Sequence, residues 1–120
     1  MLYSMEINET EKILIQNARE YYEIGLDAEK KKNYNSAITL YFKALAVFCD
    51  LLILKKIGKI PSSHSERFRI LETLDKEIYE LVDRDFTFYQ NSYRARLGLD
   101  ACSIIHDDVR RISEKIGIKI

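Results

Sequence analysis

Glycine and proline are scarce in this chain of 120 residues, which contains four glycines and one proline. All-β domains use these residues for their many turns, so their scarcity argues against such a fold and favours long helices with few connections. Hydrophobic residues make up 47% and charged residues 32% of the chain, as in a packed domain rather than a disordered segment. We therefore expect a single all-α domain over residues 1–120.

An excess of charge of either sign is also lacking, because Lys+Arg and Asp+Glu are balanced at 19 each. Nucleic-acid-binding proteins usually carry a basic excess that displaces counterions from phosphates. The net charge therefore does not indicate nucleic acid as a partner, although it leaves a local basic patch open.

Cysteines are few and long apolar segments are absent. Cys49 and Cys102 each lie in an apolar stretch without CxxC or His/Cys spacing, which is typical of core thiols in a reducing compartment. The longest apolar run, from Ala44 to Leu54, contains Asp50 and is too short to span a bilayer. The N-terminus lacks the pattern of a signal peptide, and we therefore expect a cytoplasmic protein.

Apolar residues recur at three- and four-residue spacing over four segments, which predicts four helices. The predicted helices cover residues 8–32, 35–57, 63–83 and 87–117. The second has the widest apolar stripe and should lie centrally, with Gly58 ending it, and Gly98 marks a bend or a break in the fourth. Long helices joined by short loops predict an up-and-down antiparallel four-helix bundle.

The first two helices carry a specific spacing of small and aromatic residues. Tyr21-x-x-Ile24-Gly25-x-x-Ala28 is followed by Ala37-x-x-x-Tyr41-x-x-Ala44. This resembles one helix hairpin of a tetratricopeptide repeat, in which small residues let two helices approach closely. Cys49 replaces the usual proline and no second copy follows, so the pattern predicts a local hairpin rather than a repeat array. Small domains with this hairpin can bind peptides, which keeps a peptide binder among the alternatives.

The layout of residues 15–115 resembles the HEPN domains (higher eukaryotes and prokaryotes nucleotide-binding), a family of small helical bundles. The features that carry the resemblance are Asn33-Tyr34-x-x-Ala37, Tyr41-x-Lys43-Ala44-Leu45, the loop with Pro61, His64, and Phe88-Tyr89-Gln90-x-x-Tyr93. The resemblance implies a bundle that forms homodimers, binds a partner such as a nucleotidyltransferase, or cleaves RNA.

The ribonucleases of that family carry Arg-x4–6-His near the final helix, and this chain departs from that motif. Arg94 and Arg96 are the nearest arginines before His106 and lie too far from it, and no arginine precedes His64 at the required spacing. The resemblance therefore supports the fold more than a nuclease activity.

His106 is the best single catalytic candidate, because Arg110 lies one turn further along and could hold a phosphate beside it. The alternative interpretation is an exposed helix face with salt bridges. Tyr89, Tyr93, Arg94 and Arg96 combine aromatic and basic groups that could bind nucleic acid, although tyrosines at helical spacing also suit a core. We expect no cofactor and no metal, since Asp100, Asp107 and Asp108 lack a di-iron type of partner motif.

Taken together, the sequence favours a non-catalytic, HEPN-like interaction module that self-associates as a homodimer or binds a protein partner. The alternatives are an RNA-directed ribonuclease or nucleotide-binding protein, and a tetratricopeptide-like peptide binder.

Overall fold

The computed structural model describes the backbone of residues 2–120 and the side chains of residues 9–120. The described chain consists of five helices joined by short connections and contains no strand, which confirms the all-α prediction. The helices are α1 (Leu2–Lys30), α2 (Tyr34–Ile57), α3 (His64–Leu74), α4 (Lys76–Asn91) and α5 (Leu99–Lys115).

The central position predicted for the second helix is confirmed, because α2 packs against each of the other four helices. Its aromatic and aliphatic side chains form most of the core, and Tyr41, Leu45 and Phe48 are fully buried. Gly58 ends the helix in the left-handed conformation, and its N–H donates to the Leu54 carbonyl at 2.8 Å.

The prediction of four helices is wrong at residues 63–83, where the structure has a break between α3 and α4. Asp75 adopts extended backbone angles, ends α3, and accepts the Ile78 N–H at 3.1 Å as the N-cap of α4. Lys115 of α5 holds the Asp75 carboxylate at 2.9 Å. The turn predicted at Arg84-Asp85 lies inside α4, where Asp85 is fully buried between helices.

A break at Gly98 was one of the two predicted outcomes, and the structure begins α5 there. Asn35, at the first turn of α2, binds the loop that precedes α5. Its amide group donates to the carbonyls of Ser92 at 2.9 Å and Ala95 at 2.7 Å, and its side-chain oxygen accepts the Leu97 N–H at 2.9 Å. A single amide therefore fixes the α4–α5 connection against α2.

The close approach predicted for the first hairpin is present at Gly25. A Cβ at this position would lie 2.7 Å from Cε1 of the buried Tyr41 ring, so this ring of α2 packs directly on the backbone of α1. Ile24, which belongs to that spacing, is instead about half exposed, as is Ile13. Helix α1 already includes Leu2, so it begins before the predicted Asn8, whose side chain lies outside the described residues.

Within the described part of the chain, α2 is the one helix long and apolar enough to cross a membrane by length and composition. That criterion is applied to the whole helix Tyr34–Ile57, whereas only the shorter run from Ala44 to Leu54 was considered from the sequence. In the structure, 78% of the most apolar window is buried inside the bundle, as expected for the core helix of a packed domain.

Candidate functional site

A groove between the beginning of α3 and the end of α4 brings together several residues singled out from the sequence. Its volume is about 580 Å³, within the usual range of small-molecule sites. The residues that line this α3–α4 groove are His64, Phe86, Tyr89, Gln90, Asn91, Tyr93 and Arg94. None of them carries a carboxylate, so Arg94 makes the groove locally basic in a chain without net charge.

The two tyrosines of the groove have different roles. Tyr89 is partly buried and stacks on Phe42 of α2, with ring centroids 4.8 Å apart and 20° between the ring planes. Tyr93 contacts Tyr89 edge to face and shares a hydrogen bond of 3.0 Å between the two hydroxyls, yet it remains 71% exposed. Tyr89 therefore belongs to the packing of the domain, whereas Tyr93 leaves an aromatic surface open to a ligand.

A buried ion pair lies behind the groove. The Arg67 guanidinium donates from Nε to Asp50 Oδ1 at 2.7 Å and from Nη2 to Asp50 Oδ2 at 3.1 Å. Both residues are buried, and this two-point contact fixes the plane of the guanidinium. Asp50 is thus the carboxylate that interrupts the most apolar run of the sequence, and α3 supplies its counter-charge.

His64 connects this ion pair to the groove. The Nη1 atom of Arg67 lies 2.6 Å from His64 Nδ1, and the imidazole packs against Phe42 and Phe86. Partial burial lowers the pKa of His64, and the charges of Arg67 and Lys43 lower it further, while Asp50 opposes them. The histidine is therefore predominantly neutral near pH 7.

The structure places His106 in a different setting, between α1, α2 and α5. Its Nε2 lies 2.8 Å from the Tyr22 hydroxyl, and its Nδ1 lies 3.0 Å from Glu29 Oε1. The Tyr41 hydroxyl donates to the same Glu29 oxygen at 2.6 Å, and the Tyr41 ring stacks on the imidazole at 4.9 Å. In this group, called the His106 cluster below, both ring nitrogens of His106 are occupied by internal partners.

Arg110 is exposed one turn beyond His106, at a depression that Tyr22, Arg19 and Lys119 also line. Burial raises the pKa of Tyr22, and the positive charge of Arg110 opposes that shift. His106 is directed toward Glu29, so the structure does not bring His106 and Arg110 together as a free pair around a phosphate.

The two arginines that the sequence paired are also separated. Arg94 lines the α3–α4 groove, whereas Arg96 is exposed in the loop before α5 and is not among the lining residues. As for metals, no group of three or more His, Cys, Asp and Glu side chains among the described residues could hold an ion.

The Asp50–Arg67–His64 chain of contacts was not predicted from the sequence. A signal for its first member was present, because a lone carboxylate inside an apolar helix must find a buried partner to avoid a large desolvation cost. The sequence did not identify that partner, because Arg67 lies in another helix. The Arg-x4–6-His motif of the HEPN ribonucleases also places an arginine before the histidine, whereas Arg67 follows His64.

No protein-family model, no curated protein and no solved structure matches this chain. The HEPN-like assignment therefore remains a prediction from the residue pattern. The function has to be inferred from the geometry of the α3–α4 groove and of the His106 cluster.

Proposed function

We propose that the chain is a non-catalytic binding module that holds a nucleotide, either free or within single-stranded RNA, in the α3–α4 groove. One observation carries the proposal, namely an exposed aromatic ring beside an arginine and a histidine in a groove without carboxylates. The HEPN resemblance points to the same ligand class.

The lining residues match the parts of a nucleotide. The open ring of Tyr93 offers a surface on which a base can stack, as aromatic side chains do in proteins that bind single strands. Arg94 offers a guanidinium for phosphate oxygens. The amides of Gln90 and Asn91 can donate to and accept from a base edge.

A catalytic role is less well supported. A general base needs a free ring nitrogen within reach of the substrate proton, and both nitrogens of His106 already have partners. Cleavage by His106 and Arg110 would require the contacts to Tyr22 and Glu29 to open first. We therefore favour binding over ribonuclease activity.

Binding of a fluorescently labelled octauridylate, followed by fluorescence anisotropy, tests the proposal. Arg94→Ala should weaken binding by about tenfold or more, because charge-assisted hydrogen bonds contribute about 1.5–3 kcal/mol. Arg96→Ala is the matched control, since it removes the same charge two residues away but outside the groove. Equal losses from both variants, or saturable binding that Tyr93→Ala leaves unchanged, would contradict the assignment.

Competition separates a free nucleotide from an RNA strand. If AMP displaces the labelled strand at a concentration close to its own dissociation constant, one nucleotide fills the groove. If unlabelled octauridylate competes and AMP does not, the strand makes contacts beyond the groove, and the ligand is RNA.

The second candidate is self-association, with a second copy of this chain as the occupant. The observation that favours it is an apolar depression of about 420 Å³ lined by Ile57 of α2 and by Ile70 and Leu74 of α3. Ile57 is 49% exposed there, and a twofold contact would bury the same surface on both copies.

Light scattering after size-exclusion chromatography tests self-association directly. Ile57→Asp should convert a dimer into a monomer, while Ile13→Asp, which alters a similarly exposed isoleucine on α1, should not. A wild-type protein that stays monomeric at high concentration would exclude this candidate. Binding of a purified nucleotidyltransferase by the wild type but not by Ile57→Asp would assign the surface to that partner.

We also propose a reducing compartment such as the cytoplasm. Cys49 and Cys102 are both buried free thiols, and burial raises the pKa of each well above the ordinary range for cysteine.

A further inference from the structure

We infer that Arg67 holds His64 in the neutral tautomer whose Nε2–H donates into the α3–α4 groove, so that the groove selects a ligand bearing a hydrogen-bond acceptor such as a phosphate oxygen. The ligand part of this inference rests on the proposed function. The tautomer part is a property of the free protein.

The orientation of Arg67 is fixed by its buried partner. Its side chain is buried, and two of its nitrogens donate to the two oxygens of Asp50. A guanidinium held at two points on a buried carboxylate has little freedom to rotate. Its remaining Nη1 group is therefore directed at one position, which is occupied by His64 Nδ1 at 2.6 Å.

The direction of that hydrogen bond follows from the chemistry of arginine. A guanidinium donates and cannot accept, because it remains protonated and has no free lone pair. His64 Nδ1 must therefore be the acceptor, which places the ring proton on Nε2. A cationic imidazole, or the opposite tautomer, would place an N–H against the N–H of Arg67.

The charged and titratable groups that surround His64 favour the same state. From α2, the positive charge of Lys43 opposes protonation and the paired carboxylate of Asp50 favours it, while from α3 Arg67 opposes it directly. From α4, Tyr89 lines the groove, and its hydrogen bond to Tyr93 raises the pKa of the Tyr89 hydroxyl. The turn after α4 contributes Tyr93 and a further cation, Arg94.

The donors of the groove determine which ligand groups it accepts. His64 and Arg94 line one groove. The Nε2–H and the guanidinium are both donors, so a ligand in contact with both must present acceptors. A phosphate group has several acceptor oxygens and also satisfies the charge of Arg94. An exocyclic amino group placed at His64 would leave two donors facing each other, which the groove disfavours.

The tautomer is tested on the free protein by long-range ¹H–¹⁵N correlation spectra of the imidazole, recorded from pH 5 to 8. The expected result at pH 7 and above is a neutral ring protonated on Nε2. A cationic His64 at pH 7, or a proton on Nδ1, would overturn the inference whether or not the protein binds RNA.

The ligand part is tested with the octauridylate and a matched pair of variants. His64→Phe keeps a ring and removes the donor, and it should weaken binding by about tenfold. His64→Gln keeps an N–H near the position of Nε2, so it should lose no more than about threefold. Wild-type affinity should stay level between pH 7 and pH 8 at constant salt.

Two results would overturn the role assigned to the His64 donor. One is equal loss in the two His64 variants, and the other is wild-type affinity that rises steeply as His64 protonates. If the wild type binds neither the octauridylate nor AMP, the proposed function and the ligand part fail together, while the spectra still decide the tautomer.

Discussion

The two histidines of this chain occupy opposite kinds of polar site. Comparing them distinguishes polar groups that hold the helices together from polar groups that remain open to a ligand. His106 lies among α1, α2 and α5, where Tyr22 and Glu29 occupy both ring nitrogens. His64 lies at the α3–α4 groove, where Arg67 occupies one ring nitrogen. The closed site connects helices, and the open site retains hydrogen-bonding capacity for a ligand.

Each site depends on its own carboxylate, and neither of the two was assigned a role from the sequence. Glu29 accepts from Tyr41 and contacts His106, while Asp50 accepts twice from Arg67. The difference is where the chain of contacts ends. The first ends within the packed helices, and the second ends at a groove that also contains Arg94 and an exposed tyrosine.

The largest loss of stability at a fixed pH should come from breaking the ion pair behind the open site. Arg67→Ala should lower the free energy of unfolding by about 3–5 kcal/mol, because it leaves the Asp50 carboxylate buried and unpaired. Urea denaturation measures this change. Arg94→Ala is the control and should stay within about 0.5 kcal/mol, since Arg94 is exposed.

A double variant sharpens the first prediction. Replacing both partners, as in Asp50→Leu with Arg67→Met, should cost less stability than Arg67→Ala alone, because no buried charge remains. A double variant that is less stable than the single variant would show that the pair contributes net stabilisation beyond avoiding an unpaired charge.

The next effect concerns Asp85, which is buried in α4 beside the Arg84–Asp108 pair that joins α4 to α5. Burial and the neighbouring Asp108 carboxyl raise the pKa of Asp85 to about 8, although Arg84 lowers it. Its Oδ2 is buried without a hydrogen-bond partner among the described residues, and Arg84 also pairs with Asp108.

The sign of the pH dependence follows from that raised pKa. The folded protein holds the Asp85 proton more tightly than the unfolded chain, in which the pKa of an aspartate is about 4. The resulting stabilisation is fully present below about pH 4 and is lost as the pH rises through about 8. Thermal denaturation of wild type and Asp85→Asn should diverge by up to about 1.4 kcal/mol per pH unit across this window. Parallel curves from pH 5 to pH 8 would contradict the shift.

A third prediction concerns the hairpin that supports the closed site. Gly25→Ala should destabilise the fold by about 1–3 kcal/mol, because the new Cβ would press on the Tyr41 ring in a packed core. Gly98→Ala is the control, since a Cβ at that position would have no atom within 4 Å, and only the preference for glycine over alanine at an N-cap is lost, which costs less than about 1 kcal/mol. Similar melting temperatures for the two variants would indicate that Tyr41 moves aside without cost.

The smallest expected effect tests the comparison itself. His106→Phe keeps a ring beside Tyr41 and removes two hydrogen bonds, which should cost about 1–2 kcal/mol of stability. Octauridylate affinity should not change, whereas His64→Phe should change affinity more than stability. A loss of RNA binding in His106→Phe would assign His106 a functional role and remove the distinction between the two sites.

Local patterns predicted much of the helical framework. The wide apolar stripe placed α2 at the centre, Gly58 ended it, and the next helix was predicted to begin at residue 63. In the structure, Ser63 accepts the Glu66 N–H at 3.1 Å at the beginning of α3. These features depend on residues within one or two turns of each other, so the sequence shows them directly.

The break at Asp75 was missed for the opposite reason. The apolar spacing continues across it, and an aspartate is compatible with a helix interior. Its role as a cap is reinforced by Lys115, which lies far along the chain in α5. The same limit applied to Asp85, which was placed in a turn between two predicted helices although it lies inside α4 and is fully buried.

The sequence by itself determined that this protein is helical, where α2 begins and ends, and that α2 forms the centre of the core. Only the tertiary structure decided which histidine is enclosed and which faces a groove, and that Arg94 rather than Arg96 belongs with Tyr93. The physical reason is range. Apolar periodicity and caps are encoded by near neighbours, whereas the state of a histidine is set by partners such as Glu29 and Asp50 that folding brings to it from other helices.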